Sequence, residues 1–382
     1  MGGREPEKVR GNICSFAMSE FKRLKQLYQD DKFDRLLKER GSIYWLKLRS
    51  ISRKALMVEF CEFAKLDCSS VRGAALFEHI YNCQPNEQLL DEFIAQKYQA
   101  ERSARKANEA NLISELYKMQ VFDWGGLYQN SLERTIVDNY VKKIRSYDLL
   151  TEKIENEIHV SMRGYVQSSW YNHWTSILIE DIFKDHKKVT PTLGLIKKVD
   201  FFLGDVPFDL KVTHFPEGFM AQRRNAAGLS TELQMLKRTA RALGLTYNRK
   251  QRDKALFTEL LTRIEDSHRS EAKTFIVEFK QMRWSIIQKA MKEPKDLIRW
   301  LYEEQGPRRF DSANRLFLVL VDKNNFEDSW KMKRNVDLLK NRINDYLDYF
   351  DSSSTSRLRV EFDWKDGKRY TALSDVIFII KK

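Results

Sequence analysis

The segment Lys197–Phe215, KKVDFFLGDVPFDLKVTHF, limits what this chain can fold into more than any other. Gly204-Asp205 suits the two-residue turn of a tight β-hairpin. Pairing then runs outward from Leu203 opposite Val206, through Phe202–Pro207 and Phe201–Phe208, to Asp200 opposite Asp209. Strand side chains alternate, so Val199, Phe201, Leu203, Val206, Phe208, Leu210 and Val212 share one apolar face, the expected core side. Asp200, Asp209 and Lys211 share the other, where directly opposed residues stand about 5 Å apart at Cβ. Two carboxylates at that spacing repel each other. A divalent cation between them removes the repulsion, and hard oxygen ligands suit Mg²⁺.

The rest of the chain supplies a body for this hairpin. Its 382 residues suggest two domains with ample core, and 15 Gly and 7 Pro are too few for a collagenous or wholly disordered chain. The apolar runs Leu316–Val321 and Val376–Ile380 are far short of the roughly 18 residues needed to cross a bilayer, so no membrane span is expected. The amino-terminal MGGREPEKVRGNICSF places charges where a signal peptide needs an apolar stretch, and a cytoplasmic location is the expectation. Cys14, Cys61, Cys68 and Cys83 lack CxxC pairing and are expected to be reduced thiols. A Cys3His zinc site from Cys61, Cys68, His79 and Cys83 has irregular spacing, and small buried hydrophobes are the preferred reading.

Charge points to a polyanionic partner. The formal net charge is +13, and nucleic acid leads membrane surface as its explanation. Residues 220–254 hold nine Lys and Arg against Glu232 and Asp253. Among them, Arg223, Arg224, Lys237, Arg238 and Arg241 are the expected contacts to DNA phosphates, which position a duplex without reading it. No GxxxxGK[ST] phosphate loop occurs, which disfavours an ATP-driven motor.

Periodicity divides the chain near Gly125-Gly126 into an all-α region, 1–125, and a mixed α/β region, 126–382. Helical spacing is expected over Phe21–Leu37, Leu56–Leu66, Ala74–Tyr81, Leu89–Tyr98, Leu132–Ile158 and Val160–Lys184. Strands are expected over Val189–His214, Arg315–Val321, Arg357–Trp364 and Tyr370–Ile380, the last two joined through Asp366-Gly367. Leu256–Ile264, Phe275–Met291 and Trp330–Phe350 return to helical spacing. In the first region the Ser52–Leu66 and Ser69–Tyr81 segments, joined by LDCSS, have a helix-turn-helix outline that suits base recognition, with dimerisation as the other use.

Asp200, an eight-residue gap, then Asp209-Leu210-Lys211 resembles the core of the PD-(D/E)xK nuclease superfamily, the fold of most type II restriction endonucleases. The resemblance covers about residues 160–322, with Val199 where the motif's name has proline. It implies a restriction-endonuclease-like core with a central mixed β-sheet flanked by helices. It also implies an upstream helical acid, for which Glu180 stands first and Asp181 second. Mg²⁺ would be held by Asp200, Asp209, the Leu210 carbonyl and Glu180, with Lys211 as the catalytic cation. Double-stranded DNA, a homodimer and a cognate DNA methyltransferase follow as expected partners. A repair or junction-resolving nuclease of the same fold is the first alternative, and a non-catalytic DNA-binding protein the second. D/E-x-K also occurs at Glu278-Phe-Lys280, on a helical stripe, and at Asp363-Trp-Lys365, on a strand without an acidic partner. Only the Asp200–Lys211 site combines turn, alternation, upstream acid and downstream basic segment.

Overall fold

A computed structural model describes residues 20–382 apart from 74, 123–131, 252, 305–312, 353–354 and 365–366. The expected boundary at Gly125-Gly126 and the Asp366 turn residue lie outside the described residues. The architecture is mixed α/β, with a six-stranded mixed sheet in the order β1-β2-β3-β4-β6-β5. The strands are β1 (Val189–Ile196), β2 (Val199–Leu203), β3 (Val206–His214), β4 (Arg315–Asp322), β5 (Arg359–Asp363) and β6 (Arg369–Lys381). Among the described residues no helix is long and apolar enough to cross a membrane.

The chain forms two compact units that do not follow a division at residue 125. The first takes the chain up to Lys211, the head of β4 to Leu316, and Trp330–Arg357. Its amino-terminal part is helical as expected, with a helix over residues 20–29 followed by α1 (Ser42–Ser50), α2 (Lys54–Phe63), α3 (Ala75–Cys83) and α4 (Glu87–Lys106). The start of α4 is fixed by Asn86, whose side chain accepts from the Gln88 amide. Glu87 in its first turn and Arg105 and Lys106 in its last complement the helix dipole. Phe21, Trp45, Phe60, Ile80 and Phe93 bury themselves together, and Ile196, Val199 and Phe202 join the same core.

That packing corrects the expected faces of the hairpin. The turn and register hold: Gly204 has φ +59°, and Leu203–Val206, Phe202–Pro207 and Phe201–Phe208 pair antiparallel. The second face is not open to solvent, however, because Phe202 is fully buried among the amino-terminal helices, while Val212 on the supposed core face is only half-buried. Burying a phenylalanine side chain is worth about 2–3 kcal/mol, enough to hold helices over a face that alternation alone would leave wet.

Three further expectations are corrected. The connection between α2 and α3 spans residues 64–74, too long for the three- or four-residue turn of a helix-turn-helix. Within it Cys68 is bonded to Cys61, so two of the cysteines form a disulfide rather than reduced thiols. The Leu132–Ile158 segment divides, with π-helical turns at Val137–Val141 and Ile154–Ile158 and a fresh start at Ser146, which caps the Leu149 amide. Helix α5 (His159–Lys184) then runs directly into the β1–β3 meander.

The second unit contains the helices after Val212, the body of β4 and the β5–β6 hairpin. Helix α6 (Glu232–Ala242) opens with a capping box in which Thr231 and Gln234 exchange hydrogen bonds. Helix α7 (Ser270–Lys292) carries Glu278 and Lys280, so that D/E-x-K match is helical, as its apolar stripe requires. Strand β4 is buried along its whole length, which explains its unbroken apolar sequence.

Candidate active site

All the carboxylates of the expected site lie in the first unit, brought together by α5, β2 and β3. Beyond the Phe201–Phe208 pair the hairpin changes its bonding. The Leu210 amide donates to the Asp200 carboxylate at 2.7 Å, while the Asp209 amide donates to the Asn314 carbonyl at 2.9 Å. The Asp200 carbonyl accepts from the Thr192 hydroxyl on β1 at 2.8 Å. Asp200 and Asp209 are thus fixed by different neighbours at the point where their strands would have paired them.

Asp209 is buried and satisfied by cations. Lys211 Nζ donates to its Oδ1 at 2.5 Å, and Arg315 Nε to its Oδ2 at 3.3 Å. Arg315 is itself buried, at the head of β4. Glu180 on α5 pairs with Lys184 one turn later at 3.0 Å. Asp200 has the Leu210 amide but no ion pair with any described residue. Burial first, and then the charges of Glu180 and Asp209, push its carboxyl up to about 6, against the opposing pull of the Leu210 amide and Lys211.

The choice between Glu180 and Asp181 follows from the helix. Successive helical residues point about 100° apart, and Asp181 faces α4 instead of the hairpin. There it accepts from Arg105 Nη2 at 2.7 Å and Arg105 Nε at 3.0 Å, stands 3.7 Å from Arg102 Nη1, and accepts from the Tyr98 hydroxyl at 3.2 Å. Glu180 is the acid whose charge reaches Asp200.

The donor set of Glu180, Asp200, Asp209 and the Leu210 carbonyl is all oxygen, which fits a hard divalent cation, and the unpaired Asp200 is the group such an ion would neutralise. As they stand, no three His, Cys, Asp or Glu side chains among the described residues are gathered to cage an ion. Asp209 and Glu180 are held by their own cations instead.

The expected phosphate contacts fare unevenly, and all five belong to the second unit. Arg224 is fully buried, donating to the Ser230 carbonyl at 2.8 and 3.0 Å with the Met235 and Met282 sulfurs around it, so it is a structural residue. Arg223 pairs with Asp296 at 2.6 Å and lies over the Phe219 ring. Lys237, Arg238 and Arg241 on α6 make no ion pair with a described residue; Arg238 and Arg241 are exposed and Lys237 half-buried. Sequence reasoning missed Arg315. Its signal was an arginine opening the apolar run RLFLVLV, since a charge at the end of a buried strand requires an acid nearby. Comparisons with protein-family models, curated proteins and solved structures find no match for the chain.

Proposed function

We propose that this protein is a Mg²⁺-dependent endonuclease cleaving double-stranded DNA, with a restriction-endonuclease-like core, and specifically a type II site-specific enzyme. The observation that carries the reading is Asp200: a half-buried carboxylate without an ion pair, flanked by Glu180 and Asp209 and followed across the turn by Lys211. Such an arrangement is costly for a purely structural hairpin and becomes favourable with a divalent ion.

Asp200, Asp209 and the Leu210 carbonyl would hold the ion, with Glu180 completing the set. When bound, Mg²⁺ supplies Lewis-acid polarisation of the scissile phosphate. Lys211, partly exposed beside Asp209, would orient the attacking water as an ammonium donor and offset the negative charge that grows on phosphate oxygens. Arg315 keeps the Asp209 carboxylate in place from behind. Lys237, Arg238 and Arg241 remain the proposed backbone contacts, and Arg223 and Arg224 are withdrawn from that role. A homodimer, a cognate methyltransferase and a cytoplasmic location belong to the same proposal.

Plasmid and unmethylated phage DNA, incubated with Mg²⁺ and the wild type, Asp209→Ala or Lys211→Ala, test the reading. Discrete fragments with defined ends, lost in both variants, are the expected result. DNA binding that is unchanged across all three proteins, with no cleavage by any, would leave a binding protein and end the catalytic reading.

A further inference from the structure

The disulfide region brings together more chemistry than one cross-link uses. His79 and Cys83 stand one turn apart on α3, with Nε2 and Sγ separated by 3.7 Å. Two ligands of one tetrahedral Zn²⁺, nitrogen at about 2.0 Å and sulfur at about 2.3 Å, stand about 3.5 Å from each other. The spacing of this pair is already close to one edge of such a site. The same Nε2 lies 3.0 Å from the Asp67 carbonyl oxygen. Since the Asp67 carbonyl is joined directly to Cys68, the Cys68 Cα falls within about 6 Å of the imidazole nitrogen by covalent geometry alone. Cys68 in turn carries Cys61 through the disulfide. Cys83 is exposed and outside that bond. His79 is thus set between Cys83, on its own helix, and the Asp67–Cys68 segment that the disulfide ties to α2.

We propose that Cys61, Cys68, His79 and Cys83 form a redox-gated Zn²⁺ site, closed to metal while Cys61 and Cys68 are bonded to each other and open once that bond is reduced. A dithiol reductant opens it. One thiolate of the reductant attacks a sulfur of the pair, and the resulting mixed disulfide is resolved by the reductant's second thiolate. Two electrons pass to the protein, the reductant is left as its own disulfide, and Cys61 and Cys68 become thiols. On metal binding each coordinating cysteine gives up its proton to solvent, and neutral His79 exchanges its contact with Asp67 for the metal. Either state ties the α2–α3 connection, so the redox change exchanges one staple for another. This site is independent of the carboxylate cluster and of the nuclease reading.

The test uses the full chain and Co²⁺ as a spectroscopic stand-in for Zn²⁺. After reduction with dithiothreitol and anaerobic desalting, the wild type is expected to take up one Co²⁺ per chain. The spectrum should show tetrahedral ligand-field bands and strong thiolate-to-cobalt charge transfer, and added Zn²⁺ should abolish both. The oxidised chain should show neither. Cys83→Ser should remove roughly a third of the charge-transfer intensity, one of three thiolates. His79→Asn, on a half-buried position that far-ultraviolet dichroism can check for folding, should shift the ligand-field bands. Asp209→Ala should leave the spectrum unchanged. Absence of these bands in the reduced wild type overturns the proposal, as does a spectrum that neither Cys83→Ser nor His79→Asn alters.

Discussion

Glu180 and Asp181 are adjacent in sequence and sit in two acidic clusters of the same unit with opposite electrostatics. Asp181, with Asp185 and Glu109, meets Arg102 and Arg105 in a network where each acid has a guanidinium. Glu180 belongs with Asp200 and Asp209, where Lys184, Lys211 and Arg315 serve the outer two acids and leave Asp200 to a backbone amide. The first arrangement is a finished structural joint between α4 and α5. In the second, burial and two neighbouring acids raise the proton affinity of the one carboxyl that has no ion pair. One residue of helical rotation separates the two outcomes, so identity as an acid says little until its partners are known.

The largest test of that contrast is Asp181→Ala beside Glu180→Gln. Removing Asp181 takes the bidentate acceptor from Arg105 and leaves the Tyr98 hydroxyl with Asp185 alone, and should cost about 3 kcal/mol in urea unfolding. Glu180→Gln removes a like charge from beside Asp200 and should stay within about 0.5 kcal/mol of wild type. Equal losses would erase the distinction.

Asp200→Asn sharpens it by pH. The Asp200 carboxyl is raised from 3.8 to about 6, so between those values the folded chain keeps a proton that the unfolded chain has lost. This residue therefore makes wild-type stability fall as pH climbs through that window. The asparagine variant should be more stable at pH 8 by on the order of 2–3 kcal/mol and indistinguishable below pH 4. A gain that persists in acid would show that shape, not charge, sets the effect.

Arg315→Met strips Asp209 of its buried counter-charge while Lys211 remains, with an expected loss of about 2 kcal/mol by thermal or urea unfolding. The smallest effect belongs to Lys184→Met, which removes a partly exposed one-turn ion pair with Glu180 and should cost about 0.5 kcal/mol. A larger loss there than at Arg315 would mean that Glu180, not Asp209, anchors the cluster.

Much of this was legible in the sequence. Gly204-Asp205 located the turn and hence the register, because a two-residue hairpin loop leaves little freedom in pairing. The alternation of VDFFL and the unbroken run of β4 identified strands, and Glu180 was correctly placed on the helix before them. What stayed hidden depended on contacts distant in sequence. Phe202 reads as an outward residue until the amino-terminal helices cover it. Arg224 reads as a surface cation, yet its guanidinium is spent on the Ser230 carbonyl inside the second unit. Arg315 signals that an acid is near but not which one, since Asp209 stands 106 residues earlier. The helix-turn-helix outline failed because two amphipathic segments specify helices but not the path of the chain between them.

The hydrogen bond from the Leu210 amide to the Asp200 carboxylate gives the cluster its own observable. An amide proton facing a carboxylate resonates at a different position from one facing a neutral carboxylic acid, and shifts again when the oxygen it shares is drawn toward a cation. A single peak in an ¹⁵N-correlated NMR spectrum, that of Leu210, thus tracks the ionisation of Asp200 without any substitution. The same peak, followed through a Mg²⁺ titration at constant pH, would report whether the ion occupies the carboxylates, even in the absence of DNA or turnover.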